Sequence, residues 1–182
     1  MLRETHRRLA LLAVVALVAA AWAVGFKGTG VTPVATAAAA PPKVTKPAHT
    51  ARCPFPTALR SAFEAASLDA AVPPAMLWAV AKVESNLRAN VESAAGARGI
   101  LQVMPSSARA LDLNADEPAS NVLAGARYLR QMLDRFRSSD LALAAYNAGP
   151  TAVTVAGGAP SLEVQRYVSN VNQLWHSVAG CH

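Results

Sequence analysis

Residues 74–87 read PAMLWAVAKVESNL, and the predicted fold is organised around this stretch. Pro74 suits the first position of a helix, where a missing N–H removes no helical hydrogen bond. Residues 75–81 are apolar on every side of a helix, which is typical of a helix buried inside a domain. We therefore predict a central, buried helix that begins at Pro74 and ends near Leu87.

Glu84 lies in the last part of this helix. It shares a helix face with the apolar residues Leu77, Val80 and Ala81, which precede it by seven, four and three positions. Partial burial and the negative end of the helix dipole both disfavour a carboxylate, and both raise its pKa. A carboxyl group that keeps its proton near neutral pH can act as a general acid. On local features alone, the commoner case is a solvated acid at a helix end.

The sequence on both sides of this stretch predicts further helices. Apolar residues recur with a helical period over 119–136, where Ser120 or Asn121 could provide the N-terminal cap. The other predicted helices are 59–70, 105–110, 141–148, ended by Gly149 and Pro150, and a final helix capped by Ser161. No convincing strand pair is present, so we predict a single all-α domain over residues 52–182.

Basic residues are concentrated at the N-terminal end of the chain. The net charge is +6, yet from residue 51 onward eleven Lys or Arg face ten Asp or Glu. A nucleic-acid-binding domain usually carries its own basic cluster, so we predict no nucleic-acid partner. Leu9 to Phe26 form an apolar run behind three arginines, which is typical of an export signal.

Two interpretations of this export segment stay open. Residues 1–27 are either a cleaved signal peptide or an N-terminal membrane anchor, because a helix over residues 9–26 would span about 27 Å. Residues 28–51 are rich in Ala, Thr, Pro and Lys, which predicts a flexible linker. We expect the domain to be exported, either secreted or held in the cell envelope, and to be monomeric.

Cys53 and Cys181 are the two cysteines of the chain, and they stand at opposite ends of the predicted domain. In an oxidising compartment this arrangement predicts a disulfide bond between the termini, with two free thiols as the alternative. The four histidines have no metal-ligand spacing with these cysteines, so we predict no metal site.

Four motifs, taken in order, resemble those of the soluble type of lytic transglycosylase, a family of the lysozyme-like superfold. They are Glu84-Ser85; Ser-x-x-Gly-Ala-x-Gly-x-x-Gln-x-x-Pro over residues 93–105; Ala-Tyr-Asn-Ala-Gly-Pro over residues 145–150; and Glu-x-x-x-Tyr-Val over residues 163–168. The resemblance covers residues 59–175, nearly the whole predicted domain. It implies an all-α fold like that of goose-type lysozyme.

The resemblance also implies a reaction. Enzymes of this family cleave the β-1,4 bond between N-acetylmuramic acid (MurNAc) and N-acetylglucosamine (GlcNAc) in peptidoglycan. Glu84 would protonate the glycosidic oxygen and then deprotonate the C6 hydroxyl of MurNAc, which attacks C1 and gives a 1,6-anhydro product. An internal hydroxyl removes the need for the second carboxylate that most glycosidases use. No cofactor is implied.

The substrate-binding residues implied by the resemblance lie in all four motifs. They are Ser85, Ser93, Gly99, Gln102, Tyr146, Asn147, Glu163 and Tyr167. Each also has a purely structural interpretation, such as a helix-end hydrogen bond for Ser85 or a helix stop after Asn147. Two other functions stay open at this stage: a hydrolytic muramidase of the same fold and a peptidoglycan-binding protein without activity.

Overall fold

The computed structural model describes residues 51–182. This part of the chain forms a 3-10 helix, Thr57–Leu59, followed by the helices α1 Arg60–Asp69, α2 Pro74–Ser85, α3 Pro105–Arg109, α4 Pro118–Phe136, α5 Ser139–Ala148, α6 Pro150–Ala156 and α7 Leu162–Ser177. Between residues 51 and 182 there is no β-strand, only isolated bridges at Glu92–Arg98 and Arg98–Val103. The predicted all-α fold is confirmed.

Helix α2 forms the centre of the core, as its apolar sequence predicts. Every residue from Ala75 to Ala81 is buried. Helices α1 and α7 both pack against α2, and α4 packs against α1 and α5. Because α2 is enclosed by its neighbours, the residues at its C-terminal end are held in a fixed position relative to α7.

Two helix starts differ from the prediction. Helix α4 begins at Pro118 and is capped by Glu117, whose carboxylate accepts hydrogen bonds from Ala119 N and Ser120 N. The predicted caps, Ser120 and Asn121, therefore lie inside the first turn. Helix α5 begins at Ser139, two residues before the predicted start, because Ser138 caps it through Leu141 N.

Helix α6 was not predicted, because Gly149 and Pro150 were interpreted only as a helix stop. Gly149 has a φ of +84°, which ends α5, and Pro150 then occupies the first position of a new helix. The predicted cap of the last helix is confirmed, since Ser161 Oγ accepts a 3.2 Å hydrogen bond from Val164 N.

The disulfide between Cys53 and Cys181 is present, and it joins two segments that are also hydrogen-bonded. The two Cα atoms are 4.8 Å apart, and Cys53 N donates to His182 O over 3.0 Å. In the chain-entropy model, closing a loop of this length stabilises the fold by about 4–5 kcal/mol. The bond ties the end that follows α7 to the segment that precedes α1.

The export segment predicted for residues 1–27 lies outside the described residues. The same holds for the linker predicted for residues 28–51, except for its last residue, Ala51. Within residues 51–182, no helix is both long enough and apolar enough to cross a membrane.

Candidate active site

Glu84 and Tyr167 form the centre of the candidate site. Glu84 is the penultimate residue of α2, and Tyr167 lies in the second turn of α7. The Tyr167 hydroxyl donates a 2.7 Å hydrogen bond to Glu84 Oε1. Tyr167 is buried and Glu84 is half-buried, so the carboxyl group is fixed by one neighbour and still reachable from outside.

Burial of Glu84 changes its chemistry. Removal from water raises the pKa of Glu84 from an ordinary 4.5 to about 7, although the hydrogen bond from Tyr167 acts in the opposite direction. Near neutral pH a large fraction of Glu84 therefore carries a proton. Burial and the charge of Glu84 also raise the pKa of Tyr167 well above its ordinary value, so the phenol stays protonated and remains a donor. The pair can supply a proton to an oxygen atom of a bound molecule.

Ser85, the residue after Glu84, stabilises the backbone around the end of α2. Its buried hydroxyl lies 2.8 Å from Ile100 O and 3.2 Å from Ala81 O, and it accepts a hydrogen bond from Arg88 N. These contacts join the end of α2 to the segment that precedes α3. The hydroxyl of Ser85 is thus fully engaged in hydrogen bonds within the protein. Its contact with a substrate stays a prediction.

Asn121, interpreted from sequence as a helix cap, instead organises residues 98–101. Its Oδ1 accepts from Leu101 N over 3.0 Å, and its Nδ2 donates to Arg98 O and Ala115 O over 2.7 and 2.9 Å. Gly99 packs directly on this amide, and a Cβ at Gly99 would lie 2.5 Å from Asn121 Cγ. Gly99, with a φ of +74°, is therefore required by both space and backbone conformation.

Ser93 and Gln102 stabilise the loop that leads to α3. Ser93 Oγ accepts a 3.0 Å hydrogen bond from Ala97 N, which closes the turn over residues 93–97. Gln102 Nε2 donates to Val91 O and Gly99 O over 3.1 and 2.9 Å. The two hydrogen bonds fix the Gln102 side chain at the edge of an open groove.

The groove has a volume of about 270 Å³ and is bordered by α3, α4 and α5. Its main lining side chains are Gln102, Met104, Ser107, Tyr128, Tyr146 and Asn147. Tyr146 donates a 2.7 Å hydrogen bond from its phenol to Leu101 O. Burial raises the pKa of Tyr146, and the charge of Glu84 raises it further, so the acid lies near enough to act on this side of the groove. Glu84 is not itself in the groove lining.

Three lining residues were not singled out from the sequence. Tyr128 packs against Tyr146 with ring centroids 5.3 Å apart, Met104 is 41% exposed, and Ser107 lies on α3. Met104 is an apolar residue directly before a helix that begins with proline, which is a weak sequence signal for a place in the groove lining. For Tyr128 and Ser107 the sequence contains no signal that separates them from ordinary helix residues.

Glu163 is another predicted site residue. It is exposed in the first turn of α7, and its side chain makes no hydrogen bond within residues 51–182. In the same part of the chain, no second carboxylate hydrogen-bonds to Glu84 or Tyr167. No group of three or more His, Cys, Asp or Glu side chains is arranged to hold a metal ion in residues 51–182.

Comparison with known families gives a match to the transglycosylase SLT domain over residues 61–161. A transglycosylase of Enterobacteria phage PRD1 is 37% identical over 86 residues, which cover 47% of this chain and 32% of the phage protein. The membrane-bound lytic murein transglycosylase F of Cellvibrio japonicus is 39% identical over 82 residues, or 41% of this chain and 17% of that protein. The chain thus matches a third or less of the length of these relatives.

Solved structures give the same result. The 70 kDa soluble lytic transglycosylase of Escherichia coli aligns with 70% of this chain and 25% of its own, with a TM-score of 0.60 and 26% identity. The lytic transglycosylase Slt of Pseudomonas aeruginosa, solved as an inactive variant with Glu replaced by Gln, aligns over the same shares with a TM-score of 0.59 and 25% identity.

Proposed function

The chain belongs to the transglycosylase SLT domain family, and on that basis we propose that it is a lytic transglycosylase that cleaves peptidoglycan strands. The bond cleaved is the β-1,4 linkage from MurNAc to GlcNAc, and Glu84 is the single general acid and base. The observation that carries this proposal is the hydrogen bond of 2.7 Å from Tyr167 to a half-buried Glu84 whose pKa is raised to about 7.

Proton donation is the first step. Protonated Glu84 gives its proton to the glycosidic oxygen, and the bond from that oxygen to C1 of MurNAc breaks. Tyr167 acts as a positioning residue, because its hydrogen bond holds one carboxyl oxygen and leaves the other free to face the substrate. A carboxyl group with a pKa near the working pH is suited to this role.

Return of the proton is the second step. The carboxylate left on Glu84 removes the proton from the C6 hydroxyl of the same MurNAc, and C6 oxygen bonds to C1 to give the 1,6-anhydro sugar. Glu84 ends the cycle protonated. No water is consumed, because the attacking oxygen belongs to MurNAc itself. Among the described residues, no Asp or Glu lines the groove, which supports this route over one with a separate carboxylate nucleophile.

The groove beside the acid is the proposed binding site for the strand. Tyr128, Tyr146 and Met104 offer apolar surface to sugar rings, while Gln102 and Asn147 offer amide groups to hydroxyl and acetamido groups. Ser85, Ser93 and Gly99 contribute by supporting the loop between α2 and α3. Glu163 remains a proposed substrate contact at the exposed start of α7.

Export is the other part of the proposal. Peptidoglycan lies outside the cytoplasmic membrane, and the basic and apolar pattern of residues 1–27 is typical of an export signal or anchor. The relative from Cellvibrio japonicus is named as membrane-bound, which is consistent with action at the cell envelope.

Mass analysis of the products tests the reaction. Purified peptidoglycan digested with the protein should release muropeptides that end in anhydro-MurNAc, each lighter by one water than a hydrolytic product. Glu84→Gln keeps the side-chain shape but has no proton to transfer, so the rate should fall by about 10²–10⁴-fold. Asp69→Asn, which alters another acid at a helix end, is the matched control and should retain activity.

Two outcomes would contradict the proposal. Products that carry an added water would indicate a hydrolytic muramidase. Binding to peptidoglycan without release of any muropeptide, by the protein and by Glu84→Gln alike, would indicate a binding protein.

A further inference from the structure

Helix α4 holds Leu101 through two residues that lie on one face of the helix. Asn121 and Gly125 are four positions apart, and Asn121 Oδ1 accepts a 3.0 Å hydrogen bond from Leu101 N. A Cβ at Gly125 would lie 2.6 Å from Cβ and from Cδ1 of Leu101, so the leucine packs directly against the backbone of α4. Glycine is less favourable than alanine inside a helix, and this close approach accounts for Gly125.

The other side of Leu101 is bonded to the groove. Tyr146 donates its 2.7 Å hydrogen bond to Leu101 O, so α4 holds the N–H and α5 holds the carbonyl of the same residue. Gln102 follows with a φ of +45°, a value that residues with a side chain seldom adopt, and its backbone N–H donates to Gly99 O over 3.2 Å. Gln102 and Tyr146 both line the groove. A shift of Leu101 would therefore move two groove residues.

We propose that Asn121 and Gly125 are positioning residues for the cleavage reaction. They fix Leu101, and Leu101 fixes the two groove residues that are bonded to it or next to it. The inference rests on the proposed function, in which the groove binds the glycan strand. Among the described residues, neither Asn121 nor Gly125 hydrogen-bonds to Glu84, and α2 is held in the core by its own neighbours. The two residues therefore act on the binding of the strand and not on the proton affinity of the acid.

Gly125→Ala is the main test. The added methyl group must displace Leu101, while alanine favours the helix, so the protein should fold. With soluble, uncross-linked peptidoglycan strands as the substrate, kcat/KM should fall by about 10–100-fold, mainly through a higher KM. The alkaline limb of the pH profile should stay in place, because the surroundings of Glu84 are unaltered.

Asn121→Ser is the second variant, since serine is too short to replace all three hydrogen bonds of the amide. It should change KM in the same direction. Gly158→Ala is the matched control for the added methyl group, because a Cβ at Gly158 would meet nothing within 4 Å apart from its chain neighbours. Val153→Ala controls for stability, because it makes a cavity in a group of buried side chains that does not include Leu101. Both controls should keep KM.

Amide hydrogen exchange without substrate tests the structural step. The backbone amides of Leu101 and Gln102 should exchange about tenfold faster in Gly125→Ala, relative to the amides of α2, and should not change in Gly158→Ala. Unaltered exchange at these two amides, an unaltered KM in Gly125→Ala, or an alkaline limb that moves would overturn the proposal. Exchange needs no substrate, so it separates failure of this inference from failure of the proposed function, which the product assay reports.

Discussion

Two consecutive helices each carry a carboxyl group at or next to their last residue, and the pKa values of these two groups are shifted in opposite directions from their ordinary values. Asp69 is the last residue of α1, and Glu84 is the penultimate residue of α2. Arg127 donates hydrogen bonds of 2.8 and 2.9 Å to Asp69 at the surface, which holds the pKa of Asp69 below its usual value. Glu84 is hydrogen-bonded by a neutral phenol in a half-buried position, and burial raises its pKa to about 7.

The difference shows what decides the role of an acid in this fold. The negative end of a helix dipole acts on both residues, so the dipole alone does not separate them. The partner separates them, since a guanidinium stabilises the carboxylate by its charge. A phenol orients the group without adding a charge and leaves the effect of burial dominant. The side chain that a neighbouring helix places against each helix end therefore determines whether the acid forms an ion pair or keeps its proton near neutral pH.

The largest effect within this comparison is expected on stability. The pKa of Glu84 in the folded state, about 7, lies above its unfolded value near 4.5, so the folded state holds the proton more tightly. That contribution is complete below pH 4.5 and is lost as the pH rises through 7. Glu84→Gln cannot lose a proton and should be more stable than the unaltered protein by about 2–3 kcal/mol at pH 8.5, with little such gain at pH 4.

Urea unfolding at pH 8.5 and at pH 4 measures this difference in the free energy of unfolding.

The Asp69→Asn variant provides the opposite case. Because the folded-state pKa of Asp69 is lowered, its contribution is present above the unfolded pKa and is lost as the pH falls through the folded one. Asp69→Asn should therefore lower the melting temperature at pH 7 and not in strong acid. The same sign of pH dependence for both variants would contradict the comparison.

A smaller effect is expected from Tyr167→Phe. The hydrogen bond from Tyr167 favours the ionised form of Glu84, so its removal should raise the pKa of Glu84 further. The acid must be protonated to react, so kcat/KM falls as the pH rises through this pKa. The alkaline limb of the pH profile should therefore move to higher pH in the variant.

Tyr128→Phe is the control for this profile, because Tyr128 lines the groove and makes no hydrogen bond to Glu84. It should change KM without moving the alkaline limb. A limb that stays in place in Tyr167→Phe, or moves to lower pH, would show that Tyr167 does not act through the proton affinity of Glu84.

The helices and the acid could be predicted from sequence because their signals are local. Seven consecutive apolar residues from Ala75 to Ala81 predict burial of α2, and the position of Glu84 at its end follows. Motif resemblance connected Glu84 with Tyr167 across 83 residues of chain, and the structure brings these side chains into contact.

The support of the site could not be predicted, because it depends on contacts between distant segments. Asn121 was interpreted as a cap, since Asn often caps helices, but Glu117 takes that role and leaves the amide to bond with Leu101, 20 residues away. The groove wall from Tyr128 forms only when α4 packs against α5.

A carbon-13 NMR titration of the side-chain carboxyl groups tests the central claim most directly. Spectra of the full-length protein, labelled at glutamate carboxyls, would be compared with those of Glu84→Gln to assign the Glu84 resonance. Our account predicts a single titration of that resonance with a midpoint near pH 7, in agreement with the raised pKa. A midpoint between pH 4 and 5, the range of ordinary glutamates, would contradict the role of Glu84 as the proton donor.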